Sequence, residues 1–229
     1  MKRSITTCLR PKLVLTEIFI SAFLAINVLC DAAEPTTSVS GDEALKKLTD
    51  GNARFVSGKR ESLDAAKRRA EVAKEQKPFA VIVSCSDSRV PPELVFDQGL
   101  GDIFVIRTAG EVLDSAAIGS IEYAVEHVGV RLIVVLGHQR CGAVAAAVSG
   151  AQDTGQIVHL IKAIQPAVEE VKGKPGDALD NAVHAQALDV VKKLQTTDPI
   201  ISESFQSGKL SIVGGYYSLD SGKVDFLKP

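Results

Sequence analysis

With 229 residues, 45% of them apolar and 24% charged, the chain is long enough to bury one sizeable core and short for two. With a formal net charge of −2, nothing in the composition points to a nucleic-acid or anionic-lipid partner.

Residues 1–33 differ in texture from the rest. Lys2, Arg3, Arg10 and Lys12 precede an apolar stretch from Leu13 to Leu29, broken by Glu17, and the small pair Ala32-Ala33 follows. That order is expected of a secretory signal cleaved near residue 33, with export to the periplasm or the exterior. An uncleaved anchor is the alternative, but the run is short for a bilayer span and carries an acid. Lipid modification of Cys30 is a third reading, with Asn27 and Leu29 as poor neighbours for it. Removal of the signal takes away Cys8 and Cys30, leaves no stable membrane partner, and makes Cys85 and Cys141 the remaining thiols.

Residues 34–41 read as a polar leader to a domain spanning 42–229. Ser40-Gly41-Asp42-Glu43 has capping-box spacing and is expected to open a helix running to about Phe55. Ser62 to Gln76, rich in Ala, Lys, Arg and Glu, is expected to form a second, more exposed helix. Three continuous β-branched runs follow, at Phe79–Ser84, Ile103–Arg107 and Leu132–Leu136, of the kind found in strands covered on both faces. Asp114–His127, between the second and third, repeats apolar residues at helical spacing. Helical text resumes after Cys141 to Val148, then over 157–171, 177–194 and from Asp198-Pro199 onward. Leu210–Tyr217 and Lys223–Leu227, joined by a turn at Asp220-Ser221-Gly222, suggest a terminal hairpin. The expected fold is α/β: a central, mostly parallel β-sheet flanked by helices, with an N-terminal helical arm and a C-terminal strand hairpin.

The chemistry gathers at two strand ends. Cys85 closes the first run and starts Cys-Ser-Asp-Ser-Arg; His138 and Cys141 follow the third. In an open parallel sheet, ligands collect beyond the carboxyl ends of the strands, so these segments converge. Two thiolates and an imidazole suit zinc in tetrahedral geometry, with one position left for a water molecule. His127, His159 and His184 lack any surrounding motif and are not expected to close the site. Asp87 is placed to take a proton or hydrogen bond from that water, and Arg89 to hold Asp87 by a two-pronged contact. Gly99-Leu100-Gly101 lacks the third glycine of a dinucleotide fingerprint, and no phosphate-binding loop or Gly-x-Ser-x-Gly elbow is present.

Cys-Ser-Asp-Ser-Arg-Val at 85–90, Arg-Thr-Ala-Gly at 107–110, Gly-His-x-x-Cys-Gly-Ala-Val at 137–144 and Ile-Val-Gly-Gly-Tyr-Tyr at 212–217 together resemble the β-class carbonic anhydrases. The resemblance implies reversible hydration of CO₂ to bicarbonate and a proton by a zinc-bound hydroxide. It implies one zinc per subunit on Cys85, His138 and Cys141, with Asp87 and Arg89 as a catalytic dyad. In a closed form Asp87 would itself ligate the metal. It further implies a homo-oligomer, dimer or tetramer, with each cleft at a subunit boundary. A plant-like substrate pocket is implied as well, with Gln76 donating to substrate oxygen and Phe104 and Tyr123 walling an apolar slot. Glu111 departs from the pattern, which commonly has Asn after Ala-Gly. Three rival functions share these residues: CS₂ or COS hydrolysis on the same zinc, a zinc-binding module without activity, and a Cys85–Cys141 redox protein.

Overall fold

The computed structural model describes residues 39–61 and 64–227. The expected signal, most of the leader and the start of the second expected helix at Ser62 lie outside them. Helix α1 spans Gly41–Val56, and the Ser40 hydroxyl accepts from the Glu43 N–H at 3.2 Å, as the capping-box spacing requires. The second helix is shorter than expected. Helix α2 covers Ala65–Val72; it starts where Asp64 caps it by accepting from the N–H groups of Ala66 and Lys67 at 3.0 Å, and it stops four residues short of Gln76.

Strands β1 (Ala80–Ser84), β2 (Ile103–Arg107), β3 (Leu132–His138), β4 (Ser211–Tyr217) and β5 (Val224–Leu227) form one sheet in the order β2-β1-β3-β4-β5. The first four are parallel and β5 runs antiparallel to β4. β1 and β3 are buried along their whole length, which is why their sequences are apolar without alternation. Successive residues point to opposite faces. Val81, Val83, Ile133 and Val135 pack under helices α4 (Ser115–Glu126), α7 (Ala178–Gln195) and α8 (Ile200–Gln206). Ala80, Ile82, Leu132, Val134 and Leu136 face α1 and the one-turn helix α3 (Pro92–Val95).

A third cluster caps the carboxyl ends of β1 and β3. Cys85 and Cys141 lie in it with Val144 and Ala147 of α5 (Gly142–Val148), Ile164 of α6 (Ile157–Glu170), and Ala182 and Val183 of α7. The metal-type residues of the sequence therefore sit on the sheet's carboxyl edge inside an apolar wrapping.

Candidate metal centre

The register of the sheet explains the convergence. Ser84 of β1 pairs with Leu136 of β3, so Cys85 leaves β1 beside the Gly137-His138 end of its neighbour. The three donor atoms of Cys85, His138 and Cys141 lie within 4.8 Å of one another, and all three residues are buried. The sulfurs are 3.9 Å apart and neither cysteine is in a disulfide. Two sulfurs on one tetrahedral zinc stand about 3.8 Å apart when each bond is about 2.3 Å. His138 Nε2 is buried without a hydrogen-bond partner, whereas its Nδ1 lies 3.0 Å from the Gln139 carbonyl. The proton on Nδ1 leaves the Nε2 lone pair toward the sulfurs. An unpartnered imidazole nitrogen and two adjacent thiols fit a zinc ion. Three protein donors also match a site that keeps a fourth position for solvent.

The loop after β1 is held by its neighbours' backbones. The Ser86 N–H donates to Thr108 O at 3.2 Å, and the Val90 N–H closes a turn on Asp87 O at 3.0 Å. Arg107, the last residue of β2, reaches across. Its Nε donates to the Cys85 carbonyl at 3.0 Å and its Nη2 to the Asp87 carbonyl at 2.6 Å. The Gly110 N–H donates to Cys85 Sγ at 3.4 Å. Gly110 has φ +67°, a left-handed conformation that favours glycine, and a Cβ there would also press on Ile164 Cδ1 at 2.6 Å.

Asp87 and Arg89 form the expected pair. Asp87 Oδ1 accepts from the Arg89 N–H and Nε, each at 2.9 Å, and Oδ2 accepts from Nη2 at 2.7 Å. Asp87 Oδ2 is also 3.8 Å from His138 Nε2, so the carboxylate borders the donor cluster. The Arg89 guanidinium holds the Asp87 carboxyl well below the usual carboxylate range, against a smaller opposing effect of burial. Hydrogen bonding from Cys141 lowers the pKa of Cys85, and the same bond holds the proton on Cys141.

Glu111, in the turn after β2, interacts electrostatically with both cysteines. It is 1% exposed, has φ +54°, and its Oε1 finds no hydrogen-bond partner. Burial raises its carboxyl well above the ordinary range, and the charge of Cys85 adds to the effect. Asn tolerates the left-handed region better than Glu, so the departure from the Asn pattern falls where the backbone favours Asn.

A single chain does not bring the remaining pocket candidates to this cluster. Phe104 pairs with Val81, four residues before Cys85, and a strand rises about 3.3 Å per residue. Gln76 is exposed in the segment entering β1, at the opposite end of that strand from Cys85. Tyr123 on α4 is 48% exposed, its ring 5.4 Å from that of His127.

The carbonic anhydrase family model matches residues 80–224. The chain belongs to the β-class carbonic anhydrases. Carbonic anhydrase 2 of Mycobacterium tuberculosis is 44% identical over 186 residues, covering 79% of this chain and 90% of the relative. The Coccomyxa β-carbonic anhydrase structure, solved with acetazolamide, superposes with a TM-score of 0.62 at 27% identity, over 80% of this chain and 86% of that one. A tetrameric β-carbonic anhydrase of Sordaria macrospora gives 0.62 at 25% identity, over 70% and 85%.

The expected donors and the Asp87–Arg89 pair lie together, whereas Arg107, and Asp220, which pairs with Arg140 between the donors, had no expected role. Arg107 was legible in principle, because a basic side chain ending a parallel neighbour of β1 must lie beside the β1 loop. Nothing in the turn text around Asp220 announces its partner.

Proposed function

We propose that this β-class carbonic anhydrase catalyses the reversible hydration of CO₂ to bicarbonate and a proton. The convergence of Cys85, His138 and Cys141, with the Asp87 carboxylate at their border, carries the reading. Zinc held by these three residues supplies, when bound, the Lewis acidity that makes a water molecule nucleophilic near neutral pH. Asp87 accepts a hydrogen bond from the attacking water and aims it. Arg89 occupies both carboxylate oxygens and keeps Asp87 from closing over the metal position. The apolar cap around Cys85 and Cys141 excludes bulk water from one side of the cleft.

The substrate slot is of the plant-like subtype and lies at a subunit boundary, where a second copy brings Gln76, Phe104 and Tyr123 to the dyad. Three observations support this reading. β2 is a sheet edge with Phe104 half-buried on it, Tyr123 is exposed, and the Sordaria relative is tetrameric. Residues 1–33 act as an export signal, supported by their basic start, apolar run and Ala32-Ala33.

Stopped-flow measurement of CO₂ hydration on zinc-loaded protein tests the activity. A rate above buffer that vanishes on zinc removal and returns on reloading is expected. Zinc-loaded protein no faster than buffer would contradict the reading.

A further inference from the structure

Two of the three donors flank a two-residue loop, Gln139-Arg140, and this loop is fastened from outside. The Gln139 N–H continues the sheet by donating to the Tyr217 carbonyl at 2.9 Å. Its side-chain Nε2 donates to Asp220 Oδ2 at 2.9 Å, and its Oε1 accepts from the Asp220 N–H at 3.2 Å and from Ser218 Oγ at 3.4 Å. Arg140 grips the same carboxylate with both prongs, Nη1 to Oδ2 at 3.1 Å and Nη2 to Oδ1 at 2.7 Å. One aspartate on the β4–β5 turn thus engages both residues between His138 and Cys141.

The loop needs such a fastening. Arg140 has φ +54°, a left-handed conformation unfavourable for a residue with a side chain, so the local sequence does not select it. The Gln139 carbonyl, whose direction depends on this conformation, is the group that faces His138 Nδ1. Arg140 and Asp220 are 50% and 65% exposed in their side chains, so the pair adds little to global stability. Its consequence is local, in where the loop places two donors.

We propose that Asp220 is a positioning residue for the zinc site: through Gln139 and Arg140 it holds the His138–Cys141 loop in the conformation that aims both donors at one point. The proposal rests on the zinc reading above. It predicts that loss of the carboxylate loosens the metal without unfolding the chain.

The test uses zinc-loaded wild type, Asp220→Ala, Asp220→Asn and Arg140→Gly, each mixed with excess 4-(2-pyridylazo)resorcinol to follow zinc release. Replacement of an outer partner of a metal ligand costs about 10- to 100-fold in metal affinity, and for this exposed carboxylate the low end, about ten-fold faster release from Asp220→Ala, is expected. Asp220→Asn, which keeps an acceptor oxygen, should fall between wild type and Asp220→Ala. Arg140→Gly relieves the backbone conformation but removes the grip, so faster release there assigns the effect to the grip. The cobalt-substituted Asp220→Ala protein should show altered visible absorption, reporting a changed donor arrangement. Equal release rates in wild type and Asp220→Ala would overturn the proposal. So would a fall in melting temperature of zinc-free Asp220→Ala beyond about 2 °C relative to zinc-free wild type, because the residue would then serve the fold as a whole. Wild type that takes up no zinc would overturn the zinc reading along with it.

Discussion

The two loops that supply the donors are held in opposite ways. The loop after β1 is tied down from the body of the domain: the half-buried Thr108 and Arg107 bond its backbone, and the buried Gly110 N–H meets the Cys85 sulfur. The loop after β3 is tied down at the surface, by Asp220 on Gln139 and Arg140. The first also carries the Asp87–Arg89 pair, and the second joins two donors, His138 at the end of β3 and Cys141, and holds no acid. The inner loop therefore sets the chemistry at the cleft, and the outer loop sets how firmly the metal stays.

Substitutions break this contrast in graded fashion. The largest effect falls on a donor itself. Cys141→Ser should lose stoichiometric zinc by elemental analysis, and CO₂ hydration should drop by at least about 10³-fold, since the metal supplies the nucleophile. Cys85→Ser should do the same, showing that both loops are needed for the metal.

Asp87→Ala separates the loops. It should lower kcat/KM by about 10²- to 10⁴-fold, the range for a positioned acid–base group, while zinc content stays at one per chain. Zinc loss in that variant would place Asp87 among the metal's anchors instead. The pH dependence follows from the direction of its shift. A folded-state pKa below the unfolded one means that the carboxylate is stabilising above the ordinary value of about 3.9, and that this is lost as pH falls through the lower folded value. Between pH 5 and 9 the wild-type rate profile should thus contain no Asp87 inflection. An inflection that Asp87→Asn abolishes within that range would contradict the pairing with Arg89.

Arg107→Ala loosens the inner loop and should be compared with Asp220→Ala. Two hydrogen bonds from a charged donor to the carbonyls of Cys85 and Asp87 are worth about 1.5–3 kcal/mol each. Their loss should lower the melting temperature by several degrees as well as speed zinc release. Equal melting temperatures for Arg107→Ala and Asp220→Ala would erase the distinction between an inner and an outer fastening.

The smallest effect concerns Glu111, whose buried carboxyl feels the charge of the cysteine pair. Its folded pKa is raised by burial, so the folded protein keeps a proton that the unfolded chain releases. Stability is then full below the ordinary value of about 4.3 and declines as pH rises above it. Glu111→Gln cannot ionise, so its melting temperature should match wild type near pH 4 and exceed it at pH 8, where the wild-type carboxyl must either keep its proton or carry a buried charge. Parallel melting curves across that range would show that the carboxyl carries no such cost.

How much of this was legible in the sequence follows the same division. The strands were readable because β1 and β3 are buried on both faces and hence continuously apolar, and the helix starts because Ser40 and Asp114 are strong caps. The donors and dyad stood at strand ends, where a parallel sheet concentrates ligands. The reach of α2 was overestimated at both ends, because helix-favouring composition reveals neither the cap at Asp64 nor the stop after Val72. The single turn of α3 and the 3-10 turn at Ala109–Glu111 were too short for periodicity to register. Asp220 escaped because a long-range partner of an exposed turn leaves no local pattern. Gln76, Phe104 and Tyr123 came only through family resemblance, and no periodicity within one chain could place them at the cleft.

The most direct measurement is X-ray absorption at the zinc edge of the purified protein. Two sulfur scatterers at about 2.3 Å and two nitrogen or oxygen scatterers at about 2.0 Å are expected, one from His138 and one from solvent. A sample without zinc, or one whose zinc shows no sulfur neighbour, would contradict the central claim that Cys85, His138 and Cys141 hold the metal.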